Sequence, residues 1–203
     1  NVAVNLALAM AKTSENVTVA DLDIVNPYFR TLDSAASFDA AGIRLICSRF
    51  ANSNVDIPSL PPDLYAITDD KSHRVVIDVG GDDSGAMVLG RLAPAITAED
   101  SYAMYLVVNR YRPMTPDVPS TIEVLREIEA ASKLRFSGIV NNSNIGAETT
   151  AQDVLDSMAY ANALAQAADL PLVATTVDER LYAELEGQIP DLFPLTLQNN
   201  KPF

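Results

Sequence analysis

Short apolar runs of β-type residues alternate along this chain with longer stretches of helical periodicity, and this alternation limits the fold more than any other feature. Most of the apolar runs are continuous, which is typical of strands buried on both faces of a parallel sheet. The predicted strands cover residues 17–20, 43–47, 74–79, 104–109, 136–141 and 172–176. The pattern predicts an α/β fold with three layers, in which helices cover both faces of a mostly parallel central sheet.

Helices are predicted between these strands, and several have recognisable starting signals. They cover about residues 1–12, 84–96, 120–133, 150–167 and 178–187. A hydroxyl residue followed three positions later by an acidic residue has the spacing of a capping box. The pairs with this spacing are Ser120 with Glu123, Thr150 with Asp153 and Thr176 with Glu179. The proline-rich segment 52–71 is predicted to form a loop or a short helix.

Composition limits the number of domains and the class of ligand. A chain of 203 residues with 48% hydrophobic content can build one domain with a sizeable core, so we expect residues 1–203 to form a single domain. The formal net charge of −13 opposes a non-specific grip on DNA phosphates. No apolar run approaches the roughly 20 residues of a membrane span, and no basic amphipathic tail ends the chain. We expect a soluble, cytoplasmic protein that binds neither DNA nor a membrane.

The cysteine and histidine content excludes several kinds of site. Cys47 is the only cysteine and His73 the only histidine. This excludes an internal disulfide and a zinc site built from several Cys and His residues.

Acidic residues and glycines follow two of the predicted strands. Asp21 and Asp23 come as the strand 17–20 ends, and Asp78 belongs to the strand 74–79, three residues before Gly81. Ligands of open α/β sheets gather at the carboxyl ends of the strands. A carboxylate there can hold Mg²⁺ through a coordinated water, and a glycine backbone can approach a terminal phosphate with no side chain in the way. The alternative is a tight turn in which Asp78 caps the next helix.

Asn141 ends another predicted strand, 136–141. Its side-chain amide has both a donor and an acceptor, with which it could read the edge of a purine. Asparagine at the end of a strand is also a common turn residue, so both interpretations stay open.

The order of these segments is similar to that of a known family. Residues 3–7 read AVNLA, like the helix that follows a phosphate-binding loop, and VTVADLD is similar to a following strand that ends in a DxD pair. VVIDVGGDDSGA resembles a strand that carries a second metal-linked Asp. YLVVNRYRP, PSTIEVLREIEAASK and RFSGIVNNSNIG then follow in the order strand, helix, purine-reading strand. Over nearly its whole length the chain resembles the ParA/MinD-type ATPases of the CobQ/CobB/MinD/ParA family of P-loop nucleotide-binding proteins.

The resemblance implies Mg²⁺-dependent binding and hydrolysis of ATP, and it gives each candidate residue a role. Asp21 would lie near Mg²⁺ in its outer shell, and Asp78 would support the same metal. Asp23 would orient the water that attacks the terminal phosphate. Gly81 would meet that phosphate through its N–H, and Asn141 would contact adenine. Positioning and countercharge of this kind are the main requirements of phosphoryl transfer.

The family's phosphate-binding loop, with its lysine, and its first strand do not occur in the sequence, and we expect them upstream of Asn1. The segment DIVNPYFRT also differs from the DNA-partitioning branch of the family, in which the DxD pair commonly continues with Pro-Gln. Asn26, Tyr28 and Arg30 could therefore meet a protein partner or a second subunit. Alternatively, Tyr28 packs internally and Arg30 is solvated.

Three functions remain open after this comparison. The first is a nucleotide-dependent switch that controls association with itself, as a homodimer, or with an unknown protein partner. The second is an ATP-dependent synthetase, similar to the cobyrinate-amidating or dethiobiotin-forming enzymes. It would need cations for an anionic second substrate, and the candidates are Arg30, Arg110 and Arg112. We expect Arg110 and Arg112 instead to pair with local carboxylates. The third is an interaction module that binds no nucleotide.

Overall fold

The computed structural model describes residues 1–14, 16–22, 34–47, 62–69, 72–81, 83–98 and 101–197. The described residues fall into two compact units. Unit 1 lies within Asn1–Asp100, and unit 2 is Ser101–Leu197. Each unit contains a β-sheet in which all neighbouring strands are parallel. The predicted α/β class with parallel sheets is therefore confirmed.

Unit 1 has a three-stranded sheet with the strand order β2-β1-β3. Its strands are β1 (Val17–Asp21), β2 (Arg44–Cys47) and β3 (Arg74–Asp78). Its helices are α1 (Val2–Ala11), α2 (Ala35–Ala40), α3 (Pro62–Asp69) and α4 (Asp83–Ala98).

Helices cover both faces of β1, the central strand of unit 1. Val19 packs in one cluster with Val4 of α1 and Phe38 of α2. Ala20, which points to the opposite face, packs in a second cluster with Leu92 of α4. All five residues of β1 are buried. The continuous apolar run in the sequence therefore corresponds to a strand that is covered on both sides.

Unit 2 has a four-stranded sheet with the strand order β4-β5-β6-β7. Its strands are β4 (Tyr105–Val108), β5 (Gly138–Asn141), β6 (Leu172–Asp178) and β7 (Leu192–Leu195). Its helices are α5 (Val118–Ser132), α6 (Ala151–Ala168) and α7 (Glu179–Leu185). Val154 of α6, Val177 of β6 and Leu185 of α7 are buried in one apolar cluster.

The two edges of the unit 2 sheet differ in character. In β7, Pro194 is exposed and interrupts the row of backbone donors. In β4, Tyr105 and Val107 are 39% and 45% exposed. The O atoms of Met104 and Val108 accept hydrogen bonds from the β5 side, so the backbone groups of Tyr105 and Val107 point the other way.

The prediction from the sequence did not include two short elements, α2 and β7. Helix α2 has six residues and β7 has four, and neither is long enough to show a clear periodicity. Helix α3 lies in the segment for which a loop or short helix was expected. No helix in the described ranges combines the length and the apolar character needed to cross a bilayer.

One of the predicted capping boxes is confirmed and two are wrong. Thr150 and Asp153 form the box at the start of α6. Helix α5 is capped by Asp117, which accepts a hydrogen bond from the Ser120 N–H at 2.9 Å. It begins earlier than predicted because Pro119 fits its first turn, where a missing N–H costs nothing. Helix α7 is capped by Asp178, since β6 continues through Thr176.

Candidate functional site

Asp21 and Asp78 are the last residues of the neighbouring parallel strands β1 and β3, and they are register partners. Neighbouring strands lie about 4.8 Å apart, and side chains in register point to the same face of a sheet. Asp21 is 7% exposed and Asp78 is half-buried. The two carboxylates that the sequence assigned to one metal site thus lie side by side at the carboxyl end of the unit 1 sheet.

The first turn of α1 lies at the same end of this sheet. Helix α1 packs against β1 and β3, and residues 12–16 connect the end of the helix to the start of β1. Such a short connection makes α1 run opposite to the strands, so its first turn lies near the strand ends that carry Asp21 and Asp78. The free N–H groups and the positive end of a helix dipole favour anions at this position.

Gly81 follows Asp78 by three residues and is exposed. A Cβ atom built at Gly81 would have no neighbour within 4 Å, and its backbone does not adopt the left-handed conformation. Gly85, in α4, differs, because a Cβ there would lie 3.0 Å from both the N and the O atom of Gly80. A side chain larger than hydrogen would therefore be crowded at position 85 and would meet open space at position 81.

Asn141 is fully buried at the end of β5, and its side chain is engaged within unit 2. Its Oδ1 accepts hydrogen bonds from the Ser143 N–H at 3.2 Å and the Ser143 hydroxyl at 2.7 Å. Its Nδ2 donates to the Ser157 hydroxyl at 2.8 Å and contacts Met158 Sδ at 3.8 Å. A contact with adenine stays a prediction, and it would require some of these bonds to be exchanged.

The segment NRYRP lies at the end of β4, and Arg110 and Tyr111 hold it against α6. Arg110 Nη1 donates to the Asp156 carbonyl at 2.9 Å, and the Tyr111 hydroxyl donates to the Asp153 carbonyl at 2.9 Å. The Arg110 guanidinium also lies 5.6 Å from the centre of the Tyr111 ring. The Arg110 side chain thus donates to a backbone carbonyl, where a carboxylate was expected. Arg112 is exposed and forms no hydrogen bond through its side chain to the described residues.

A network of asparagine side chains joins the loops after β4 and β5, and sequence reasoning missed it. Asn109 Oδ1 accepts from the N–H groups of Tyr111 and Asn144, and Asn109 Nδ2 donates to the Asn144 carbonyl at 2.9 Å. The Thr176 hydroxyl, on β6, donates to Asn142 Oδ1 at 2.8 Å. The runs NR and NNSN after two predicted strands were the available signal.

The structure does not describe every residue proposed for the site. Asp23 lies outside the described residues, as do Asn26, Tyr28 and Arg30. Among the described residues, no group of three or more His, Cys, Asp or Glu side chains is placed to hold a metal ion. Asp21 and Asp78 supply hard oxygen donors, which suit Mg²⁺ when water and phosphate complete its coordination.

A groove of roughly 400 Å³ lies in unit 2, between the first turn of α6 and helix α7. Leu155, Leu181 and Arg180 contribute to its lining. Arg180 is engaged by protein groups, since Nη2 donates to the carbonyls of Ala147 at 2.9 Å and Thr149 at 2.5 Å. Of the described residues that the sequence assigned to the candidate site, none lines this groove.

Comparisons of the chain with protein-family models, with curated proteins and with solved structures found no match.

Proposed function

We propose that this chain is a Mg²⁺-dependent ATP-binding protein and ATPase of the ParA/MinD type, which acts as a nucleotide-dependent switch towards itself or a protein partner. The pairing of Asp21 with Asp78 in register, at the strand ends that face the first turn of α1, carries this proposal. An anion-favouring helix end beside two carboxylates suits a phosphate group and its magnesium ion. The sequence resemblance to the family supports the same assignment.

In the proposed reaction the described residues mainly position the reactants. Mg²⁺ supplies countercharge to the phosphate oxygens when it is bound. Asp21 and Asp78 would hold the metal at the strand ends through its water ligands. The Gly81 N–H donates to the terminal phosphate, and Asp23 orients the attacking water. The proposal requires a phosphate-binding loop with a lysine from outside the 203 residues.

The proposal also specifies the architecture around the site. It holds that residues 1–203 belong to one nucleotide-binding domain of the P-loop NTPase type. The cover of β1 by helices on both faces supports this assignment for unit 1.

An ATP-dependent synthetase is the second candidate, and one observation favours it. Arg112 is exposed at the carboxyl end of the unit 2 sheet and forms no side-chain hydrogen bond to the described residues, so it could meet an anionic second substrate. Arg110 is already engaged by a carbonyl of α6. One arginine provides few contacts for an anionic substrate. We therefore favour the nucleotide-dependent switch over the synthetase. Turnover that depends on a small carboxylate would favour the synthetase.

The decisive experiment measures ATP binding by the full-length protein at increasing Mg²⁺ concentrations. We expect Asp21→Asn and Asp78→Asn each to raise the Mg²⁺ concentration for half-maximal binding by about tenfold or more, because each removes a charged acceptor near the metal. The matched control is Asp39→Asn, which changes an exposed carboxylate on α2 and should behave like the parent protein. If the parent protein binds no ATP at any Mg²⁺ concentration, the nucleotide-free interaction module is the better description.

Hydrolysis gives a separate test of Asp23. We expect Asp23→Ala to lower the rate of ATP hydrolysis by about a hundredfold or more while leaving ATP affinity nearly unchanged, because it removes a group that orients water and not a phosphate anchor. Hydrolysis at the parent rate would show that another group orients the water.

A further inference from the structure

The groove between α6 and α7 is built entirely by unit 2, to which all of its lining residues belong. Its volume of roughly 400 Å³ lies within the range that is usual for binding pockets. Gln152 and Leu155 line it from α6, and Leu181 and Glu184 line it from α7. Because residues three positions apart share one face of a helix, the groove has one helix face on each side.

The apolar part of the groove is held by the core of unit 2. Leu181 is buried in one cluster with Val154 and Leu185, and the half-buried Leu155 packs against this cluster. The two leucines are therefore positioned before any ligand arrives. Each Å² of apolar surface that a ligand covers contributes about 25 cal/mol to its binding, so an apolar side chain is favoured here.

The charged side chains of the groove leave an excess of negative charge. Arg180 Nε donates to Asp178 Oδ2 at 3.0 Å, and Arg180 Nη2 donates to the Ala147 carbonyl, so this cation is already paired within the protein. Glu148 and Glu184 are exposed, and the carboxylate of neither one forms a salt bridge or a hydrogen bond with the described residues. The groove thus presents two unpaired carboxylates beside an apolar surface.

We infer that this groove binds a cationic amphipathic helix of a protein partner, an inference that rests on the proposed function for its need of a partner. An apolar side chain of that helix packs on Leu155 and Leu181. Its lysine or arginine side chains lie near Glu148 and Glu184. An apolar groove is a common receptor for an amphipathic helix. The net charge of −13 attracts a cationic partner and disfavours nucleic acid or a second copy of this chain in the groove.

The test measures binding of a fluorescent helical peptide, with leucines on one face and lysines on the other, to the full-length protein without nucleotide. We expect the double variant Glu148→Gln with Glu184→Gln to weaken binding by about fivefold or more, because it removes both carboxylates. The matched control is Glu123→Gln with Glu127→Gln, which removes the same charge from exposed positions on α5. This control should bind the peptide like the parent protein.

Two control peptides separate the charged contribution from the apolar one without any change in the protein. The first has glutamate in place of each lysine, and the second has alanine in place of each leucine. We expect each to bind the parent protein about tenfold more weakly or worse, because one is repelled by the carboxylates and the other has little apolar surface to bury. Equal binding of all three peptides would overturn the inference.

Thermal melting shows whether each variant is folded. The inference is overturned if the parent protein does not bind the lysine peptide saturably, or if the folded groove variant binds it no more weakly than the α5 control does. Dimerisation of the parent protein that the groove variant abolishes, without peptide binding, would assign the groove to a second copy and also overturn it. Peptide binding by a parent protein that binds no ATP would support the groove assignment while the proposed ATPase function fails.

Discussion

Substitutions of Gly81 and Gly85 distinguish an effect on stability from an effect on ATP binding. We expect Gly81→Ala to change the free energy of unfolding by no more than about 0.5 kcal/mol, because the new methyl group enters open space. The same variant should weaken ATP binding, because its methyl group would stand beside the N–H that meets the phosphate. Urea unfolding and nucleotide titration measure the two effects independently.

Gly85→Ala is the matched substitution, with the opposite expected result. Its methyl group would press on the backbone of Gly80 at 3.0 Å, and backbone atoms cannot move aside as the end of a flexible side chain can. We expect a loss of about 1–2 kcal/mol in the free energy of unfolding after the gain in helix propensity is subtracted. If Gly81→Ala binds ATP like the parent protein, Gly81 does not contact the phosphate.

At the residue scale, local sequence predicts positions better than it predicts contacts. The end of an apolar run places Asp21 and Asp78 at strand ends, and the structure puts them in register. The bonds of Asn141 could not be predicted in this way, because Ser157 belongs to a helix that packs back onto the strand. Which end of an amide is available depends on this tertiary packing.

The capping box of α6 stabilises the longest helix among the described residues. The Thr150 hydroxyl accepts from the Asp153 N–H at 3.2 Å, and Asp153 Oδ2 accepts from the Thr150 N–H at 2.8 Å. We expect Thr150→Ala to lower the free energy of unfolding by about 1 kcal/mol, because it leaves an N–H of the first turn without its partner. The midpoint of urea unfolding measures this loss.

Ser120→Ala is the control for this prediction, because it keeps the Ser120 N–H that Asp117 caps and removes only the hydrogen bond of the Ser120 hydroxyl to Asp117. Its effect on the same midpoint should be small. If Ser120→Ala is as destabilising as Thr150→Ala, the assignment of Asp117 as the cap is wrong.

The caps of α5 and α6 also predict how stability depends on pH. The backbone hydrogen bond from Ser120 lowers the pKa of Asp117, and hydrogen bonds from Thr150 lower the pKa of Asp153. A carboxyl group whose pKa is lower in the folded state stabilises the fold above its unfolded pKa, which is about 3.9 for Asp. That contribution is lost as the pH falls through the lower folded pKa.

We therefore expect the melting temperature to fall below about pH 4, and to fall less in Asp153→Asn than in the parent protein. Calorimetry between pH 7 and pH 3 measures this difference. Identical acid profiles for the parent and the variant would show that Asp153 contributes little to the acid sensitivity.

Element boundaries show where the sequence pattern was informative and where it was ambiguous. The spacing of Thr150 and Asp153 predicted the start of α6, and both hydrogen bonds of that capping box are present. At α5 and α7, an aspartate closer to the first turn replaced the predicted hydroxyl residue as the cap. A spacing rule cannot decide between two candidates when the end of the preceding strand is uncertain by two residues.

At the scale of the whole molecule, unit 2 has the elements of an independently folding domain. It has its own parallel sheet, and α6, α7 and β6 share a buried cluster. We expect residues 101–197 expressed alone to unfold cooperatively, with dispersed amide resonances before the transition. A broad, non-cooperative transition would instead support one cooperative domain for residues 1–203.

The α/β class could be predicted because strand burial and helix periodicity are encoded locally. The division of the strands between two sheets could not, since strand order depends on which distant runs pair. The strand orders β2-β1-β3 and β4-β5-β6-β7 depend on contacts between distant segments, and no single apolar run in the sequence determines them.

The contrast between β4 and β7 bears on how the chain behaves in concentrated solution. An edge strand with exposed apolar side chains and outward-facing backbone groups is a template for pairing between molecules, and proline blocks this pairing. Pro194 protects the β7 edge, whereas β4 carries the exposed side chains of Tyr105 and Val107. We therefore expect Val107→Lys to reduce the concentration-dependent aggregation of this 203-residue chain, as measured by light scattering. The lysine would place a charge at the edge where the strands of two molecules would otherwise pair.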